Sequence, residues 1–341
     1  MPSIDPVDYC ILTIREDEFV AVLDRLEDRD LVLGGQDRFY ALTDLDAGGT
    51  RRRVAVARCA DQGNLEAADV ARAAIQDLRP RFLFVSGIAG AVPSTEFGLG
   101  DVVLGTEIHD FTLAAAKPGG KLEYSLKGGP AEQVIRSLLA ILPAVGLGGW
   151  DRPNALGVAR PAELGEVLDV DPDWNQHVTE ALEAMARRDR PVRVMGPIAS
   201  SDTLLQDPNR LRPLLPALRH LRAVEMEAAG IYRAVFQERL PFLNVRGISD
   251  VVGLKRLGPW TEYACATAAS FLIHLLKSKD VDRLITSVVP THEEACEPSP
   301  ESHTSGAGES GQESRNINVG GNVTGSVLIT GNNNTVDRRA L

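Results

Sequence analysis

The chain has 341 residues, 44% of them hydrophobic, and a formal net charge of −11. That length and apolar content suit one large α/β domain with an appendage. The negative balance argues against nucleic acid as a partner. No apolar run approaches the roughly 20 residues of a membrane span, so no membrane partner is expected.

The N-terminal MPSIDPVDY has no basic start followed by an apolar core, and so is not expected to be a signal peptide. Residues 9–14 read as a first strand. Glu16, Asp17 and Glu18 follow, then Phe19, Val22, Leu23 and Leu26 at helical spacing. Carboxylates in a first helical turn serve as dipole partners, and the residues alone do not separate these three acids. Residues 51–57 (RRRVAVA) form a strand whose three arginines read as a solvated edge rather than a phosphate site. Residues 65–78 form an amphipathic helix, and 81–85 a compact strand leading into the glycine stretch 86–91, SGIAGA. Glycines after a strand allow close backbone approach to a ligand. The spacing is not that of a dinucleotide G-x-G-x-x-G.

Residues 98–111 (GLGDVVLGTEIHDF) hold another strand, with His109 in a structural or peripheral role. Residues 131–142 predict a helix, 146–170 a Gly/Pro-rich loop, and 172–188 a second helix capped by Asp171 or Asp173. His177, His220 and His274 lack ligand spacing, and Cys10, Cys59, Cys265 and Cys296 are scattered. No metal and no cofactor is expected, and a reduced, cytoplasmic chain is the simplest account. Residues 192–202 (VRVMGPIASSD) are a further strand.

The stretch 223–250, AVEMEAAGIYRAVFQERLPFLNVRGISD, organises the rest. Glu225, Met226 and Glu227 precede a small-residue run and a helix that Pro241 ends. A buried strand then carries Ser249 and Asp250 to its carboxyl end, where ligands sit in open α/β sheets. VEMEA followed by RGISD resembles the nucleoside phosphorylase and nucleosidase superfamily, over about residues 7–279. That group includes methylthioadenosine/adenosylhomocysteine nucleosidase and the purine nucleoside phosphorylases. The resemblance implies an α/β fold with a central mixed twisted sheet flanked by helices, and at least a homodimer. It also implies roles. Asp250 would protonate the purine, with Ser249 orienting it. Glu227 would accept from the ribose hydroxyls, Met226 would pack on the sugar, and Glu18 would hold the attacking water. Glu225 and Arg246 would form a supporting ion pair.

Other segments extend the resemblance. SGIAGA is similar to the superfamily's loop beside ribose and phosphate, which places Ile88 and Ala89 at the substrate. Hexameric phosphorylases carry an arginine and a serine where Val85 and Ile88 stand here, and neither of these side chains can donate to an anion. Hydrolysis is therefore expected over phosphorolysis. GPIASSD is similar to the family's GPIASGD. The position usually given to a base-stacking aromatic is Leu204 here, which allows apolar contact only. VVGLKRLGPWTEYACATAASF resembles the ending of nucleosidase domains fused to NLR-type immune ATPases and bacterial defence effectors. Lys255 and Arg256 within it read either as a solvated loop or as contacts for a 5′-phosphate.

Composition divides the chain into a catalytic domain (1–285), a Glu/Ser/Gly/Pro-rich disordered linker (286–314) and a Gly/Asn-rich, β-forming motif (315–341). The last resembles strand-addition or amyloid-type signalling motifs, and would recruit a partner or self-assemble. The expected activity is purine nucleoside or nucleotide N-ribosidic hydrolysis by a regulated immune or signalling effector, with ATP-like nucleotides as candidate substrates. The alternatives are a housekeeping methylthioadenosine/adenosylhomocysteine nucleosidase and a non-catalytic nucleoside sensor.

Overall fold

The computed structural model describes residues 4–118, 122–168 and 171–288. The proposed motif 315–341, and the linker beyond Val288, lie outside the described residues. The elements run β1 (Tyr9–Thr13), α1 (Glu16–Leu23), β2 (Asp30–Leu33), β3 (Phe39–Ala47), β4 (Thr50–Arg58), α2 (Asn64–Leu78), β5 (Phe82–Ala91), β6 (Val102–Asp110), β7 (Ala114–Ala116), β8 (Leu122–Tyr124) and β9 (Lys127–Pro130). They continue α3 (Gln133–Ile141), α4 (Pro153–Leu156), α5 (Pro172–Ala186), β10 (Arg193–Ser200), α6 (Pro208–Leu211), β11 (Ala223–Glu225), α7 (Ala228–Glu238), β12 (Phe242–Val251), α8 (Gly258–Lys277) and α9 (Lys279–Val288).

The main sheet is mixed, in the order β11-β10-β6-β12-β5-β1-β4-β3-β2, with β9 beside the far end of β6. β11 also pairs with the end of β5, Ala223 facing Ala91 and Val224 facing Gly90. Strands β5, β12, β6, β10 and β11 thus close into a ring. Both faces of the sheet are covered, so its central strands are apolar on both sides. On β1, Cys10 and Leu12 enter one core with Val70 and Ala74 of α2 and Ile231 and Val235 of α7. Tyr9 and Ile11 enter the other, with Val22 of α1, Leu138 of α3 and Leu272 of α8. This is the two-residue period of a strand buried on both sides.

Several local expectations change. The stretch 86–91 is not a loop but the continuation of β5. Its backbone is paired by β12 along one edge and, at Gly90 and Ala91, by β11 along the other. Likewise β12 runs through Ser249 and Asp250. α7 ends at Glu238, before Pro241, through left-handed Arg239 (φ 53°). The hairpin β2–β3 pairs at the sheet's edge, where the sequence alternation is broken by exposed Leu31, Leu33 and Phe39. Asp171, not Asp173, caps α5, its Oδ1 accepting from the Trp174 amide at 2.9 Å. α9 spans Lys279–Val288. Cys10, Cys59 and Cys265 are buried free thiols.

Candidate functional site

The site lies where β5, β12 and β11 meet. Between Ile248 and Asp250 the β12–β5 register slips by one, so Ile248 faces Ala89 and Asp250 faces Gly90. Such a bulge re-aims a side chain. Here it puts Asp250 over Gly90, where an added Cβ would lie 3.1 Å from Asp250 Oδ2. Ser249 Oγ donates to Asp250 Oδ1 at 2.7 Å. Arg256 donates to the same oxygen from Nε at 2.8 Å, with Nη2 2.6 Å away.

Glu18 sits in the first turn of α1 and is buried. Its Oε2 accepts from the Ile14 and Arg15 amides, and its Oε1 from the Ile88 amide, each at 2.9 Å. Burial pushes its carboxyl up, against the pull of Arg246 and those amides. A Cβ on residue 87 would meet Arg246 Nη1 at 2.4 Å and Glu18 Oε1 at 2.8 Å, so glycine is required there.

Arg246, 1% exposed, is the cation behind the acids. Its Nη2 lies 2.5 Å from Glu225 Oε2 and 3.6 Å from Glu227 Oε2. Its Nε donates to Asn244 Oδ1 at 2.9 Å. Burial works against the Arg246 charge, but the three carboxylates outweigh burial and hold it above its ordinary value. Glu225 also accepts from the Glu227 and Ala228 amides at 3.0 and 2.9 Å, which fixes the entry to α7. Glu227 is held more loosely. Its Oε1 accepts only a long bond, 3.4 Å, from the Gly63 amide. Burial pushes Glu227 up to about 7, with Glu225 and Glu18 adding to the rise and Arg246 opposing it.

These groups surround one cavity of about 60 Å³, whose lining includes Glu18, Glu225, Met226, Glu227, Asp250 and Arg256. Ile88, Ala89 and Leu204, the last 51% exposed, form its apolar wall. Ser249 and Arg246 stand behind it through the bonds above. Lys255 does not reach it. That side chain is exposed, and its amide donates to the Glu166 carbonyl at 2.9 Å. A larger cavity of about 1220 Å³ opens alongside and shares Ile14, Arg15 and Gln62 with the smaller one. The carboxylates converge on the smaller, so the chemistry is placed there despite its size.

Sequence reasoning missed Arg15, Gln62, Gly63 and Asn64. Asn64 ties the site's rim together: its Oδ1 accepts from the Gly230 amide at 2.7 Å and from Ser200 Oγ at 3.1 Å. Its own amide donates to Asp202 Oδ1 at 2.7 Å. Left-handed Gly63 (φ 108°) just before α2 was the available signal. His109 pairs with Glu107 at 3.1 Å, away from the acids. Among the described residues no cluster of three His, Cys, Asp or Glu could hold a metal ion, and no helix is long and apolar enough to cross a membrane.

A family model described as "Phosphorylase superfamily" matches residues 18–277. The chain belongs to the phosphorylase superfamily. A relative named Death domain-containing ATP nucleosidase, from Amphimedon queenslandica, is 24% identical over 289 residues, covering 82% of this chain and 49% of its own length. A 5′-methylthioadenosine/S-adenosylhomocysteine nucleosidase from Bacillus cytotoxicus is 29% identical over 121 residues, 34% of this chain and 52% of that protein. The chain thus spans about half the length of the curated relatives it matches. Among solved superfamily structures, a 5′-methylthioadenosine/S-adenosylhomocysteine nucleosidase from Neisseria meningitidis shares the fold at 18% identity and TM-score 0.53, covering 79% of this chain and 98% of that one. A futalosine hydrolase from Helicobacter pylori matches at 18% identity and TM-score 0.55, covering 79% and 97%.

Proposed function

We propose that the protein hydrolyses the N-ribosidic bond of purine nucleosides or nucleotides. The observation that carries this reading is the convergence of Glu18, Glu227 and Asp250 on one cavity, each with different partners. Cleavage of such a bond passes through an oxocarbenium-like state, so the base must be protonated as it leaves and water must stand beneath the sugar. Water adds to C1′ and the C1′–N9 pair goes to the base. Asp250 supplies the base with a proton, and Glu18 takes one from the water. Three backbone amides fix the Glu18 carboxylate, so it is positioned before the substrate arrives. Glu227 accepts from the 2′- and 3′-hydroxyls.

Water is favoured over phosphate as the nucleophile. Val85 is fully buried, and Ile88 offers an anion no side-chain donor. Glu18 would repel a phosphate at the water position.

The finer reading is a nucleotide-degrading effector, which assembles as an oligomer and engages partners through residues 315–341. The relative named as an ATP nucleosidase, aligned over most of this chain, supports it, as do Arg15 and Arg256 in the cavity wall. The test is chromatography of free base after incubation with adenosine, methylthioadenosine, AMP and ATP, with and without phosphate. Adenine from ATP, independent of phosphate, supports the effector. Base from methylthioadenosine alone supports housekeeping, and a phosphate requirement refutes hydrolysis. Asp250→Asn should abolish release while leaving the thermal transition in place. Normal turnover in that variant removes Asp250 as the acid.

A further inference from the structure

We propose that Arg256 is a latch on Asp250: it ties up the acid in the free protein and is drawn off by the phosphate of a nucleotide substrate. This rests on the reading of Asp250 as the acid that protonates the base.

The geometry motivates it. Asp250 Oδ1 accepts from Ser249 Oγ at 2.7 Å and from Arg256 Nε at 2.8 Å, and Arg256 Nη2 approaches it to 2.6 Å as an ion pair. A carboxylate oxygen engaged in this way by a guanidinium is not presented to a leaving base. Arg256 also lines the cavity, which at about 60 Å³ is far smaller than the roughly 300–1,000 Å³ of ordinary ligand sites. Something in the wall must move before a nucleoside fits.

The side chain of Arg256, 27% exposed, is one that can do so. Its backbone cannot, because Glu166, Leu168 and Trp174 hold the turn that carries it. The Lys255 amide donates to the Glu166 carbonyl and the Leu168 amide to the Gly253 carbonyl, both at 2.9 Å. Trp174 Nε1 donates to the Val252 carbonyl at 2.8 Å, and Trp260 Nε1 to the Glu163 carbonyl at 2.7 Å. The guanidinium, 27% exposed, sits between this fixed base and the open side of the cavity.

Phosphate is the group suited to draw it off. A guanidinium fork binds phosphate oxygens bidentately, so the anion replaces what Asp250 supplied. The other charged groups at the cavity leave Arg256 as the natural phosphate partner. Glu18, Glu225 and Glu227 are acidic, Arg246 is committed to Glu225, and Arg15 is held by Asp17 at 2.7 Å. A neutral nucleoside has no anion to offer, and meets the latched acid. The latch thus makes the enzyme selective for nucleotides through the chemical step.

The experiment compares kcat and KM for adenosine, AMP and ATP in the wild type, Arg256→Ala, Arg256→Lys and Asp250→Asn. The wild type should prefer the nucleotides. Arg256→Ala should raise kcat on adenosine several-fold and raise KM for AMP and ATP. Arg256→Lys, a point charge without the fork, should fall between. A uniform loss on all three substrates, or an unchanged nucleotide preference, overturns the latch. Asp250→Asn should be silent throughout. If it is active, or if the wild type releases no base, the acid reading itself fails, separately from the latch.

Discussion

Replacing Arg246 by methionine tests the electrostatic frame of the site. The substitution keeps an apolar stem of similar reach and removes one charge from a fully buried position. Glu225 loses a partner at 2.5 Å and Glu227 one at 3.6 Å, while the amide bonds to both remain. Removing one member of a buried pair leaves an uncompensated charge and costs about 3–5 kcal/mol. At about 2–4 °C per kcal/mol for a domain of this size, the transition should fall by roughly 6–20 °C. The loss should also depend on pH. Glu227 stands at about 7 in the fold, above its ordinary value. Its contribution to stability is therefore complete below the ordinary carboxylate range, and is lost as pH rises through about 7. Arg246 opposes that rise, so without it the losing window extends to higher pH. The deficit of Arg246→Met against the wild type should be larger at pH 8 than at pH 5. Adding Glu225→Gln should recover part of it, since the two residues share one interaction. Thermal unfolding followed by circular dichroism reads all of this. A deficit below about 1 kcal/mol, or one that is the same at both pH values, would refute the argument.

Three further outcomes are expected. Glu227→Gln should equalise rates on ribo and 2′-deoxyribo substrates, and should abolish a rise in KM that the wild type shows as pH falls below about 7. Persistence of either difference in the variant would take the ribose away from Glu227. Gly230→Val should destabilise by about 1–3 kcal/mol or more, because a Cβ there would lie 1.9 Å from the Asn64 carbonyl at the α2–α7 contact; an unchanged urea midpoint would contradict that close approach. Deleting residues 315–341 should spare base release from small substrates but abolish self-association or partner capture in light scattering and pull-down, and the tail proposal fails if the truncated chain assembles like the full one.

The parts of the site legible in the sequence are those whose side chains face it. Glu225, Met226 and Glu227 with Ser249 and Asp250 form two short runs of distinctive chemistry, and both line or back the cavity. What escaped reading acts through the backbone or through distant pairing. Gly63 contributes only its amide to Glu227, which leaves no side-chain trace. The stretch 86–91 looks like a ligand loop because its glycines are spaced for close approach. They serve that approach from within a strand, with Gly87 yielding to Glu18 and Arg246 and Gly90 to Asp250. Arg256 read as a solvated-loop residue or a phosphate contact, and its pairing with Asp250 escaped because Asp250 sits on the strand before the turn that carries it. Edge strands β2 and β3 were missed because their outward residues include Leu31, Leu33 and Phe39, which blur the alternation.

Three glutamates around one arginine leave an excess of negative charge in a buried place, an arrangement that costs stability. What distinguishes the three is how far the fold satisfies each. Glu18 has three amides at 2.9 Å. Glu225 has two amides and the closest approach of Arg246. Glu227 has one amide at 3.4 Å and the same guanidinium at 3.6 Å. Burial carries both Glu18 and Glu227 up, Glu227 to about 7, and Glu227, the least satisfied of the three, retains acceptor capacity at the cavity wall. A pair of vicinal hydroxyls would supply the donors that the fold withholds. The electrostatic cost borne at Glu227 would be relieved on ribose binding, and part of the cluster's instability would then become selectivity for the sugar.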